Sequence, residues 1–467
     1  MSQVIEYFCK HKQIFLNDLF QLIKIPSISN HKEDVRNAAL WLKSRLVSTT
    51  SFIKMVETSG NPVILAEWVP NSGEQNGSRI LTLLIYGHYD VQSPEPLDQW
   101  ISPPFEPEIR DGRIYARGVG DNKGQFFAHL VAIECTTKLS ELGLRIKFLL
   151  DGEEESGSPN LEKVLIQEKD FFEDIDLVIV SDGPMDPSWK PTLCFGARGI
   201  VTAQIHLISA NSDVHSGNFG GIQPNPTIDL MHILQSMIDE NGRCLIEGFY
   251  DEVFTPDEIA IKTAEELNRT AKMYKELLGI NYFGGEQDIT PLVHRVMFRP
   301  TFNVRGFQSG HVQEHAKTII PKEAIVEIDF RLVPHQQPIH IQKLFLKHLE
   351  KLKRRSERWK EIIDRCAVNF EAGFAPIYTP VNLQWTKVLV KSITEGSGEE
   401  PVKVPLLGGS LPLYNLYQHI RKPMYIIPYG QPDQGNHAPN ENLMIEWFEK
   451  GVQTSIMLFK NLGSIES

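Results

Sequence analysis

The stretches 79–86, 144–150 and 175–180 are short, mostly apolar runs separated by segments of helical periodicity. A strand stays apolar on both sides only if both faces are covered. Such runs alternating with helices therefore call for an α/β layer around a mostly parallel central sheet. The helical segments span about 4–24, 31–47 and 122–139, and a further strand reads at 61–69. The polar stretch 71–78, "NSGEQNGS", reads as a hairpin-like loop.

From about Gly199 the pattern changes. A strand "IVTAQIHLIS" and a helix "NPTIDLMHILQSMIDE" are followed by an irregular, partly helical stretch over about 241–299. Strands "TFNVRGF" and "AIVEIDFRLV", helix "IHIQKLFLKHLEKL" and strand "CAVNFEA" then follow. This is the β-α-β-β-α-β order of a ferredoxin-like unit with an insertion after its first helix. After about residue 377 the α/β character returns, with a helix over 381–395, a strand in "PMYIIPYG" and a terminal helix from about Glu441. The expected organisation is one α/β domain, 1–198 and 377–467, interrupted by an α+β domain over 199–376.

The apolar runs end in acids or histidine. Run 79–86 leads into "GHYD", which places His88 and Asp90 at its tip. Run 144–150 meets "DGEEESGS", and run 175–180 ends in "SDGP" with Asp182. The strand near 424–428 leads to His437 in "NHAPNEN", and Asp121 sits in "RGVGDNKGQ" before the helix at 122. In open parallel sheets ligands bind outside the carboxyl ends of the strands, so these segments deliver their side chains to one edge. Buried carboxylates repel one another and are costly to desolvate without a nearby cation. The pool of His88, Asp121, Glu154, Glu155, Asp182 and His437 has oxygen and imidazole donors and no thiolate. It suits Zn²⁺, with Mn²⁺ or Co²⁺ as alternatives, and is large enough for two ions if one carboxylate bridges. Asp90, two residues after His88, can hold the other ring nitrogen.

Each motif has a blander alternative. A strand-end histidine is more often solvated or hydrogen-bonded, a triple glutamate is usually a solvated loop, and Asp182 alone would serve as a turn cap. "GVGDNKG" resembles a dinucleotide loop, but its spacing is GxGxxxG, no strand directly precedes it, and Asp121 would repel phosphate. "KLKRR", 351–355, lies on an amphipathic helical pattern and reads as a solvated face. With a net charge of -12, it argues against a nucleic-acid partner. Five scattered cysteines without a CxxC point to reduced thiols and a cytoplasmic protein. No apolar run approaches the roughly 20 residues that span a bilayer, so no membrane association is expected.

Taken together, "GHYDVQ", "ARGVGDNKGQ", "GEEESGS", "SDGP", "HSGNFGG" and "NHAPNEN" resemble, in order and over nearly the whole chain, the co-catalytic zinc amidohydrolase family. That family includes carnosine dipeptidase, cytosolic nonspecific dipeptidase, acetylornithine deacetylase and succinyl-diaminopimelate desuccinylase. The resemblance implies a zinc-peptidase-like catalytic domain interrupted by a lid through which two chains form a homodimer. It implies two divalent ions per chain, His88 and Asp182 holding one, Glu155 and His437 the other, with Asp121 bridging. Glu154 takes the place of the general base, which makes Glu153 the extra residue of the triplet. A cis peptide bond at Asp121–Asn122 is also implied.

In the lid, "HSG" puts His215 where the family has a histidine that reaches across the dimer to the substrate carbonyl. "KTIIPKEAIVEIDFRLVP" puts Thr318 and Arg331 among the substrate contacts, and "GGSLP" puts Gly409 and Ser410 at the substrate's carboxylate end. The long lid and "FRLVP" resemble the dipeptidase branch. The implied activity is hydrolysis of a dipeptide or short peptide with a free carboxylate, with an N-acyl amino acid deacylase as the alternative. A non-catalytic metal or peptide binder is a third reading, against which Glu154 speaks, because a binder needs no base.

Overall fold

The computed structural model describes residues 2–70, 79–139, 142–284, 291–311, 317–371 and 373–465. The expected polar loop at 71–78 lies outside them. The chain divides into two units. The first comprises Met1–Gly196, Thr379–Pro405 and Asn415–Ser467, and the second Ala197–Tyr378 and Leu406–Tyr414. The segment Leu406–Tyr414, read from sequence as part of the α/β domain, groups with the second unit.

The first unit is built on an eight-stranded sheet. Its middle strand, Thr82–His88, is buried along its whole length and lies parallel to Arg145–Asp151 on one side and Leu177–Val180 on the other. Met424–Ile426 adds in parallel to Leu177–Val180, and Val402–Val404 pairs in parallel with Thr192–Cys194. The other pairings are antiparallel. A hairpin of Phe52–Val56 and Val63–Trp68 closes one edge against Arg145–Asp151, and a single bridge, Ile426 to Cys194, joins the two parallel groups. The parallel strands carry Leu, Ile, Val and Phe at successive positions because helices must cover them.

Four helices pack in series in this unit. Ser2–Ile23 meets Lys123–Leu139, which meets Ile445–Gly463, which in turn meets Gln384–Ser397. Lys123–Leu139 is buried over most of its surface, including Phe126, Phe127 and Val131, as befits a helix enclosed by sheet and helices. Gly396 lies against the backbone of Thr454, where a methyl group would collide, so glycine permits the close approach of the last two helices. No helix among the described residues is long and apolar enough to cross a membrane.

Two local differences from the sequence expectations concern the site. The terminal helix begins at Ile445, not near Glu441, because Asn442–Met444 forms a strand against Arg113–Tyr115. That short strand stands just before the loop holding Asp121, where the periodicity announced none.

The second unit carries a four-stranded antiparallel sheet in the order Thr301–Ser309, Glu323–Leu332, Gly199–Ile208, Cys366–Phe370. With helices Pro226–Met237 and Pro338–Lys353 this is the ferredoxin-like arrangement. Its core is mostly aliphatic with phenylalanines within it: Phe330 meets Phe302 and Phe345 edge to face at centroid separations of 5.0 and 6.0 Å.

Candidate metal centre

The first unit brings His88, Asp90, Asp121, Glu154, Glu155, Asp182 and His437 together. His88 closes the Thr82–His88 strand and is fully buried. Its Nε2 lies 3.0 Å from Asp121 Oδ1, 3.7 Å from Asp182 Oδ2 and 3.8 Å from Glu154 Oε2. The opposite ring nitrogen, Nδ1, is 3.1 Å from the Asp90 carbonyl oxygen and 3.4 Å from its carboxylate. Asp90 also accepts the backbone N–H groups of Glu154 and Glu155, one on each carboxylate oxygen, at 3.2 Å.

Asp121 faces both ways. Its second oxygen, Oδ2, is 3.1 Å from His437 Nε2, and the same nitrogen is 3.2 Å from Glu155 Oε2. Gln92 also donates to Glu155 Oε2, at 2.9 Å. Three sets of ligand atoms fall within 4.8 Å of one another: His88, Asp121 and Asp182; Asp121, Glu155 and His437; and His88, Glu154 and Glu155. The first two share Asp121. The peptide bond Asp121–Asn122 is cis.

The electrostatics are those of a site built around positive charge. Burial alone would lower the His88 pKa, but Glu154, Asp121, Asp90 and Asp182 outweigh it and hold the ring well above its ordinary value. Hydrogen bonds to Asp121 and Glu155 raise His437 to about 10. Burial, then the charge of Asp121, lifts Asp182 to about 6. Glu154 is pushed well up by burial, with Asp182, Glu155 and Asp121 adding to the effect against the pull of His88. Asp121 itself is held low, because its hydrogen bonds to His437 and His88 overcome its burial. The donor set of imidazole and carboxylate, without thiolate, fits Zn²⁺ or a similar divalent ion.

Glu153 takes no part in this cluster. It is buried with Oε1 accepting the Asn61 N–H and Oε2 accepting the Asn160 amide, both at 2.8 Å. Gly60 leaves room for it, since a β-carbon there would overlap the Glu153 carboxylate.

Glu441 was not singled out in the sequence. Fully buried, it accepts four hydrogen bonds at 2.8–2.9 Å, from the Arg117 guanidinium and from the N–H groups of Gly118, Gly120 and Asp121. It thus ties the segment after His437 to the loop of Asp121. The available signal was a carboxylate and an arginine inside two motifs already in view, "NHAPNEN" and "ARGVGD". His129, by contrast, is a core residue, buried between Ser181 and Ser455 at 2.7 and 2.9 Å.

The remaining residues expected at the site lie in the second unit. His215 is exposed at the start of the short helix Ser216–Phe219, its Nδ1 accepting the Gly217 N–H and its Nε2 3.3 Å from Thr318 Oγ1. The pairing of Val214–His215 with Ile319–Ile320 brings these two residues together. Arg331 donates to Ser410 Oγ at 3.1 Å. A cavity of about 430 Å³ is lined by Arg331, Arg198, Asp329, Gly408 and Gly409, among others. Arg198 donates to the Gly408 carbonyl at 3.0 Å and so steadies that glycine loop.

Residues 84–461 match the model of peptidase family M20/M25/M40. The chain is 31% identical over 387 residues to the Beta-Ala-His dipeptidase of Homo sapiens, covering 82% of this chain and 74% of that protein. It is 28% identical over 487 residues to a Cys-Gly metallodipeptidase of Schizosaccharomyces pombe, covering 100% of this chain and 99% of that one. Among solved structures, the M20 family metallo-carboxypeptidase Sso-CP2 from Sulfolobus solfataricus superposes with a TM-score of 0.84 at 31% identity, over 97% of this chain and 99% of the other. The chain therefore belongs to peptidase family M20/M25/M40 and is a metallopeptidase.

Proposed function

We propose that the protein hydrolyses dipeptides or short peptides with a free C-terminal carboxylate, using two divalent ions that Asp121 would hold in common. The observation that carries this reading is the orientation of the Asp121 carboxylate, one oxygen toward His88 and the other toward His437. His88 and Asp182 would hold one ion, Glu155 and His437 the other, with Zn²⁺ first and Mn²⁺ or Co²⁺ as alternatives. When bound, the ions supply positive charge that makes a water acidic near neutral pH and polarises the scissile carbonyl.

The chain's own residues do the rest. Glu154, whose pKa burial holds well above that of a solvated glutamate, accepts a proton from the attacking water and returns it to the departing amine. Asp90 keeps the His88 ring in place and, through the two N–H groups it accepts, fixes the start of the Glu154–Glu155 turn. Arg331, with Ser410 and the Gly409 backbone, receives the substrate carboxylate, for which a planar guanidinium is well matched. The names of the two relatives, Beta-Ala-His and Cys-Gly dipeptidase, support a dipeptide over an N-acyl amino acid. The five scattered cysteines, with no CxxC among them, support a reducing, cytoplasmic setting.

The test is an assay of the metal-loaded protein against unmodified dipeptides, their C-terminal amides and N-acyl amino acids. Dipeptides should give the highest kcat/KM, at least about tenfold above either other class. N-acyl amino acids in first place would assign the protein to the deacylases.

His215, with Thr318 beside it, is proposed to serve the substrate carbonyl of the other subunit in a homodimer formed through the lid. Its exposure and the family resemblance support that role. His215→Ala should lower kcat by about 10²–10³ with metal content unchanged, as loss of an oxyanion donor does. Mixing inactive His215→Ala chains with inactive Glu154→Gln chains should restore up to about a quarter of wild-type activity, since half of randomly paired dimers are mixed and each holds one intact site. Mixed dimers, confirmed by native mass spectrometry, that stay inactive would place His215 outside the partner's site.

A further inference from the structure

The helix Lys123–Leu139 begins directly after the Asp121 loop, and its third residue, Gln125, is fully buried. Its amide makes four hydrogen bonds, all to backbone. Nε2 donates to the carbonyls of Gly120 at 2.7 Å and Gly183 at 3.0 Å. Oε1 accepts the N–H groups of Tyr429 at 2.7 Å and Gly430 at 3.3 Å. Both donors and both lone pairs are therefore used.

These partners belong to three separate segments. Gly120 immediately precedes Asp121, Gly183 immediately follows Asp182, and Tyr429–Gly430 opens the segment that leads to His437. A single nitrogen holds the two carbonyls that flank Asp121 and Asp182, so these loops cannot move apart without breaking one of its bonds. Of the carboxylates paired with His88 Nε2, Asp121 and Asp182 lie nearest, at 3.0 and 3.7 Å, with Glu154 at 3.8 Å.

We propose that Gln125 is a positioning residue of the metal centre: its amide sets the spacing between Asp121 and Asp182, and with it the affinity of the half-site they form with His88. Gln125 touches none of the ligand side chains in the hydrogen bonds it makes and acts through the backbone on either side of them. No other common side chain reproduces the pattern. Glutamate lacks the two donors, methionine lacks all four groups, and asparagine is one methylene too short. Residues that orient metal ligands typically change affinity by about 10–100-fold when removed.

The inference rests on the ligand set proposed above, and its test needs no substrate. Wild type, Gln125→Met and Gln125→Glu are stripped of metal and titrated with Zn²⁺ against a chromophoric chelator, and with Co²⁺ while the visible absorption is followed. Gln125→Glu keeps acceptors for Tyr429 and Gly430 but turns an oxygen towards the two carbonyls, so it isolates the spacing of Asp121 and Asp182. In both variants the ion held by His88, Asp121 and Asp182 should bind about 10–100-fold more weakly, the other, which shares Asp121, should lose less affinity, and the Co²⁺ bands of the weakened site should shift. Circular dichroism and elution volume of the metal-free variants should match wild type.

Affinities for both ions within about twofold of wild type would overturn the proposal, even if thermal stability fell. Should Gln125→Met fail to fold, Gln125→Asn, which keeps an amide in the cavity, is judged by the same affinity criterion. A wild type that binds no metal would instead refute the ligand set.

Discussion

Exhaustive chelation should abolish peptide hydrolysis, and two equivalents of Zn²⁺ or Mn²⁺ per chain should restore it. The reason lies in the density of charge. His88, Asp121, Asp182, Glu155 and His437 offer ligand atoms in two clusters that share Asp121, each within 4.8 Å. The carboxylates around them raise both imidazoles, His88 well above its ordinary value and His437 to about 10. A metal ligand must be deprotonated, so binding at pH 7 should release protons, and affinity should fall as the pH is lowered. Elemental analysis and proton release in weakly buffered solution both measure this. Full activity in a preparation shown to be free of metal would end the metal-dependent mechanism.

The second large effect is expected from Glu154→Gln, which should reduce kcat by about 10²–10⁴ while both ions remain bound. The amide fills the same volume but cannot accept a proton. Glu154 is suited to proton transfer because burial, followed by the nearby Asp182, Glu155 and Asp121, keeps its pKa well above that of a solvated glutamate. The informative control is its neighbour. Glu153 is committed to the Asn61 N–H and the Asn160 amide, so Glu153→Gln should lose stability, by about 1–3 kcal/mol for an imperfectly satisfied buried group, and retain turnover. Undiminished turnover in Glu154→Gln would move the base to another residue.

What could be seen in the sequence had a period or a sharp boundary. The buried strands announced themselves because an apolar run must stop where the sheet edge meets polar surroundings, and the side chains at those stops are the ones that gather around His88. The lid was legible because its strands and helices alternate in a recognisable order. What escaped were long-range hydrogen bonds, which leave no pattern in the chain. Glu441 reads as the start of a helix until Arg117 and the Gly118–Asp121 backbone are seen to claim its carboxylate. Arg113–Tyr115 is a strand only because Asn442–Met444 returns to pair with it. Leu406–Tyr414 sits between α/β elements in sequence, yet the Arg198 backbone and side chain bind its Leu407 and Gly408 carbonyls.

The two histidines of the centre differ sharply in their access to water: the His88 side chain is 0% exposed and that of His437 55%. An ion beside His437 would thus meet solvent directly, whereas one beside His88 would be flanked by the Asp121, Asp182 and Glu154 carboxylates, themselves only 5–10% exposed. Loading and loss would follow a fixed order, the outer ion exchanging first and the inner one persisting. At intermediate chelator concentrations the protein would then rest as a half-filled species, kinetically trapped and slow to equilibrate. The time allowed for metal exchange would govern the measured stoichiometry as much as the concentration of metal.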